Sequence, residues 1–174
     1  MRNAMLQANP KWKWHFDIEQ GQLMLDMDEM MFVVAAKKSK LLDEVKKEDI
    51  PFSVEDCDSY TVYYHALEDV FDLAEPILTQ MALNATALVT YSKPMGAKSW
   101  FVNPNTGDIP DLFEQVVTLT SDTQQGLFLL LERANESSLL MLLNPSFELN
   151  GGSQMKQFEL IRVINDRLGR YVSQ

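Results

Sequence analysis

From residue 11 to residue 35 apolar and polar side chains alternate. Trp12, Trp14 and Phe16 lie on one side of Lys11 to Asp17, and Leu23, Leu25 and Met27 resume the rhythm after Glu19-Gln20-Gly21. Met30 to Ala35 is a third apolar run beyond Asp28-Glu29. Successive strand residues point to opposite faces, so this pattern predicts a three-stranded antiparallel meander with one buried face.

The period then lengthens. Ser39 to Lys47, with Leu41, Leu42 and Val45 among flanking charges, reads as a short exposed helix. Tyr60, Tyr63, Tyr64, Leu67 and Phe71 recur at steps of three and four, which on a helix makes an aromatic stripe, although Tyr and Val also favour strands. Asp72, Glu75 and Pro76 form a helix start, and the helix is expected to bury Ile77, Met81, Ala85 and Leu88 before Lys93-Pro94 ends it.

After residue 95 short strands are expected at Lys98 to Val102, Gln115 to Thr120, Leu127 to Glu132, Leu139 to Leu143 and Ser146 to Leu149, separated by Asn-, Gly-, Ser- and Asp-rich turns. Strands at this spacing suggest a small curled sheet or barrel. Phe158, Ile161, Ile164 and Leu168 are spaced as one helical stripe ending at Gly169. The expected fold is α+β, with an N-terminal α/β lobe over residues 1–94. A mostly β, barrel-like lobe over 95–174 follows, closed by a final helix.

Composition narrows the function. The 174 residues are 46% hydrophobic, enough for a real core, and 15 Lys+Arg against 25 Asp+Glu give a net charge of -10. Such a field repels nucleic acid and anionic membranes, so neither is an expected partner. Charge is uneven. From Glu48 to Ser92 there is no Lys or Arg, whereas Lys156, Arg162, Arg167 and Arg170 crowd the last twenty residues. The lone cysteine, Cys57, precludes an intramolecular disulfide, and no signal-like or membrane-spanning apolar run is present; a cytoplasmic protein is expected.

Catalytic chemistry finds little footing. His15 and His65 lack a second histidine at metal spacing, and Asp26, Asp28 and Glu29 suit a hairpin turn better than a calcium loop. Phosphate-cradling and nucleophile-elbow motifs are absent, and Cys57 lies among Glu55, Asp56 and Asp58, which oppose its thiolate. No enzyme, metal or cofactor is expected. Binding apparatus remains. Met24, Met27, Met30 and Met31 are either repackable contact surface or the lobe's own core. Lys93, Lys98 and Trp100 can hold a carboxylate-bearing peptide by charge and stacking, or the lysines are scattered surface charge.

At these residues the chain resembles the bacterial ZapC family of cell-division proteins. The likeness runs in order through Trp12-Lys13-Trp14 with Asp17, Met24-Leu25-Asp26, Leu83-Asn84-Ala85 and Lys93-Pro94. It continues through Lys98-Ser99-Trp100, Leu119 to Thr123 and Ile164 to Leu168, and it covers nearly the whole chain. The resemblance implies a non-enzymatic partner of FtsZ polymers that bundles filaments, restrains their GTPase activity and stabilises the midcell division ring. It also implies an apolar pocket that includes Leu25 and a charged pocket that includes Lys93, Lys98 and Arg167, with Trp100 beside it. The loop from Asn103 to Glu114 and the stretch from Ser146 to Gln154 depart from the family pattern. A monomer crosslinking through two pockets is favoured over self-association, since no coiled-coil seam is visible. A carrier for a small apolar ligand is the alternative.

Overall fold

The computed structural model describes residues 5–172. The chain divides into two compact units, one holding the chain through His65 together with Asp72–Pro94, the other Ala66–Phe71 and the chain from Met95 on.

The meander of the first unit is formed as its alternation predicts. Strands β1 (Lys13–Asp17), β2 (Gln22–Asp26) and β3 (Met31–Val33) pair antiparallel, with Trp14 opposite Leu25 and Leu25 opposite Phe32. Gly21 and Asp28 supply the left-handed residues at the two turns, with φ of 66° and 71°. A fourth strand, β4 (Ile50–Pro51), adds to the free side of β1. Two residues are too few to show a period, and proline is tolerated because the strand lies at an edge. Trp12, Trp14, Phe16, Leu23 and Leu25 are all buried.

Helix α2 (Val54–Val70) starts on a reciprocal cap in which Asp56 N–H donates to Ser53 Oγ and Ser53 N–H to Asp56 Oδ2, each at 3.0 Å. The same Oδ2 accepts Trp14 Nε1–H at 2.9 Å, so one buried carboxylate ties the helix to β1. Tyr60, Tyr63, Tyr64 and Leu67 of the expected stripe are buried, whereas Phe71 lies past the end of the helix and is half-buried. Helix α3 (Glu75–Tyr91) has Pro76 in its first turn, but Ala74, not Asp72, holds the capping position, and Ile77 is 42% exposed rather than buried.

The single helix expected over Ser39 to Lys47 is instead a 3-10 turn, Lys38–Lys40, and one α-turn, α1 (Glu44–Lys47). The intervening residues are drawn into extended pairing with the end of α3. Leu42 N–H donates to the Tyr91 carbonyl and Lys93 N–H to the Lys40 carbonyl, both at 2.8 Å, and Leu41 is fully buried.

In the second unit, β5 (Val116–Thr120), β6 (Gln125–Arg133), β7 (Ser137–Leu142) and β8 (Ser146–Glu148) occupy four of the expected strand positions. The fifth is corrected: Lys98 to Val102 holds a 3-10 turn, Ser99–Phe101. The expected final helix is corrected too. Its residues form β10 (Leu160–Ile164), the 3-10 turn Asn165–Arg167 and β11 (Gly169–Arg170), after a short β9 (Gln154–Lys156) that pairs with β8. Phe158 has φ of 71°, outside helical geometry, and the β-branched pair Ile161 and Val163 is buried while Ile164 is 44% exposed. A period of two therefore overrides the coincidental steps of three.

The main sheet has the order β10-β7-β6-β5-β11 and is antiparallel throughout. Its two edge strands are consecutive in sequence. Four inter-strand steps of about 4.8 Å would separate them by about 19 Å in a flat sheet, whereas the turn between Ile164 and Gly169 reaches only about 13 Å. The sheet is therefore curled, around a core that includes Val117, Leu119, Phe128, Leu140, Phe147, Ile161 and Val163. It remains open: among the described residues no hydrogen-bonded closure makes it a barrel.

Candidate functional site

The 3-10 turn at Ser99 is strapped to the edge of β10. Lys98 N–H donates to the Arg162 carbonyl at 2.7 Å, and Ile164 N–H donates to Ser99 Oγ at 2.7 Å. Arg162 Nε–H donates to the Met95 carbonyl at 3.2 Å while its guanidinium pairs with Glu132. This strap occupies backbone groups that an open strand edge would leave free. Because Ser99 faces inward, Lys98 and Trp100 on either side face out, and Trp100 is 67% exposed, with its ring 5.4 Å from that of Phe101.

Arg167 reaches the same turn from below. Its Nε–H donates to the Ser99 carbonyl at 3.3 Å and its Nη1 pairs with Asp166 at 2.8 Å. With only 17% of its side chain exposed and its charge shared with Asp166, Arg167 positions the Lys98–Trp100 turn more than it offers a free cation. Lys98 has no carboxylate within ion-pair distance among the described residues. Lys98, Trp100 and Arg167 are thus brought together within the second unit.

Lys93 belongs to the first unit, where pairing with residues 40–42 sets it beside the Lys38–Lys40 turn. Lys37, Lys38, Lys40 and Lys93 are all exposed and, among the described residues, none pairs with a carboxylate. The three lysines at 37–40 were missed as candidates. Their run Lys37-Lys38-Ser39-Lys40 was the available signal, obscured by the expectation of a helix.

Leu25 is fully buried behind the sheet, so its side chain supports the lobe rather than lining an accessible surface. Of the methionines, Met27 is core, while Met30 and Met31 are 60% and 44% exposed at the β3 edge. An opening of about 210 Å³ lies among Pro10, Lys11, Trp12, Lys13, Asp49 and Pro51. It is smaller than the roughly 300–1,000 Å³ of ordinary ligand pockets. At its rim Asp49 accepts His15 Nδ1 at 2.8 Å and pairs with Lys13 at 3.3 Å, and the His15 hydrogen bond holds its carboxyl below the usual carboxylate range. Among the described residues no three His, Cys, Asp or Glu side chains cluster as a metal site requires, and no helix is long and apolar enough to cross a membrane.

The architecture is that of a two-unit α+β protein that, within an acidic surface, exposes an indole and lysines unpaired among the described residues. Two family models match it end to end: Cell-division protein ZapC, N-terminal, over residues 5–93, and Cell-division protein ZapC, C-terminal, over residues 94–174. The chain is 37% identical over 171 residues to the cell division protein ZapC of Pseudoalteromonas translucida, covering 98% of this chain and 96% of that one. It is 32% identical over 168 residues to the ZapC of Aliivibrio salmonicida, covering 95% and 93%, and 31% identical over 167 residues to that of Vibrio cholerae, covering 94% and 91%. The chain belongs to the ZapC family of cell-division proteins.

Proposed function

We propose that this protein binds FtsZ polymers directly, promotes their lateral bundling, restrains their GTPase activity and so stabilises the division ring, without catalysing a reaction itself. It acts in the cytoplasm as a monomer recruited to midcell. The observation that carries this is the Lys98–Trp100 turn: an unpaired cation and an exposed indole, held outward by Ser99 and Arg167, on a protein of net charge -10. A local positive patch lets an acidic protein meet an anionic partner, because screening over about 8 Å at physiological ionic strength damps the global repulsion more than a contact pair. Lys93, with Lys37, Lys38 and Lys40, is a second basic contact in the first unit, and Leu25 maintains the lobe that presents it.

The test is sedimentation of GTP-assembled FtsZ. The wild-type chain should pellet with the polymer, salt raised above physiological ionic strength, where the long-range repulsion is already screened and only contact pairs remain to be weakened, should reduce the bound fraction, and Lys93→Asp, Lys98→Asp and Trp100→Ala should each release it. Full co-pelleting by all three variants would refute the basic-patch contact. A fluorescent fusion should mark midcell only while an FtsZ ring is present.

A further inference from the structure

The largest exposed apolar group of the second unit lies outside the turn just described. Between Asn103 and Glu114, Ile109, Leu112 and Phe113 are 74%, 80% and 94% exposed. Their loop is anchored. Asn105 Nδ2 donates to the carbonyls of Gly107 and Asp108 at 3.3 and 3.0 Å, and Gly107 N–H returns a bond to Asn105 Oδ1 at 3.1 Å. Arg170 N–H donates to the Asp108 carbonyl at 3.1 Å, and its guanidinium holds Glu114 at 3.0 Å and Asp111 at 3.8 Å. Pro110 is buried among exposed neighbours. A frame of this kind fixes the backbone while leaving three large apolar side chains in water, as a docking element does.

The loop's charge is opposite to that of the Lys98 turn. It carries Asp108, Asp111 and Glu114 against the single Arg170 that pairs with the latter two, so its net charge stays negative, and no Lys or Arg occurs from Ser99 to Glu132. An anionic patch that suits Lys98 and Trp100 repels this loop, and an apolar patch with a basic rim that suits the loop repels Lys98. The two surfaces therefore do not compete for one place on a partner. A monomer that crosslinks filaments needs two such non-equivalent contacts.

We propose that the Asn103–Glu114 loop is the second of them, seating Ile109, Leu112 and Phe113 on an apolar, basic-rimmed patch of a neighbouring FtsZ filament while the Lys98 turn holds the first. This inference rests on the FtsZ-binding function proposed above. High-speed sedimentation with GTP-assembled FtsZ reads binding, and low-speed sedimentation with light scattering reads bundling. The double variant Leu112→Ser/Phe113→Ser should lower the bundled fraction about tenfold or more while binding stays within about threefold of wild type. Asp108→Lys, which keeps the apolar side chains, should also reduce bundling. Ile18→Ser, altering a side chain 77% exposed in the first unit, should change neither. Unaltered bundling by the double variant and Asp108→Lys would overturn the proposal. So would loss of binding in the double variant as complete as in Lys98→Asp, or equal loss of bundling in Ile18→Ser. Failure of the wild-type chain to pellet with FtsZ at all would instead remove the underlying function, and this inference with it.

Discussion

Replacing Arg167 by alanine separates a residue that positions the proposed contact turn, Lys98–Trp100, from one that forms it. Its Nε–H donates to the Ser99 carbonyl at 3.3 Å and its Nη1 pairs with Asp166, whose side chain is 59% exposed. A hydrogen bond from a charged donor contributes about 1.5 kcal/mol at this length, and a pair with so exposed a carboxylate adds about 0.5 kcal/mol or less. The loss is therefore about 2 kcal/mol, or about 4–8 °C in Tm for a chain of this size. Lys98→Ala keeps the backbone bond to Arg162 and removes only an exposed ammonium, so its stability should stay within about 0.5 kcal/mol of wild type. Thermal melts by circular dichroism give the first quantity. The second comes from fluorescence: Trp12 and Trp14 are 4% and 0% exposed, so acrylamide-accessible emission belongs to Trp100. FtsZ should shield that emission in the wild-type chain and shield it less in both variants. If Arg167→Ala abolished binding with no change in Tm or in Trp100 accessibility, Arg167 would be a direct contact and the positioning role would be wrong.

Leu25→Ala should cost about 2–5 kcal/mol in denaturant unfolding, because the side chain is fully buried, and any loss of FtsZ binding should track that instability. Gly126→Ala should destabilise by about 1–3 kcal/mol. A β-carbon there would lie 2.7 Å from Phe147 Cδ1 and 3.0 Å from Phe128 Cε1, in two buried rings packed edge to face, and an unchanged melting temperature would contradict this. Burial pushes the hydroxyls of Tyr60 and Tyr91 up to about 12. Their neutral forms are favoured by the fold, so stability is intact below the unfolded value near 10 and falls as pH rises toward 12. Alkaline unfolding followed by phenolate absorbance should shift to higher pH in Tyr91→Phe.

Local periodicity alone settled much of this protein. Trp12, Trp14 and Phe16 define a strand because alternate side chains share a face whatever lies elsewhere, and Tyr60, Tyr63, Tyr64 and Leu67 recur at the helical step, which in the structure prevails over the strand preference of Tyr and Val. The run from Phe158 to Leu168 fits both periods in part, and pairing of Leu160–Ile164 with β7 decided for the strand. Pairing of Leu41 with Ser92 likewise broke the helix expected over residues 39–47.

The proposed contact residues divide along the same line. Lys98 and Trp100 were legible as a cation beside an aromatic, and their exposure follows from the buried Ser99 between them. Arg167's hold on the Ser99 carbonyl, the meeting of Lys93 with the Lys38–Lys40 turn, and the burial of Leu25 were not legible. Each depends on contacts between residues far apart in the chain. Sequence fixes which side chains share a face of one element. Only tertiary packing decides which of those faces meets water.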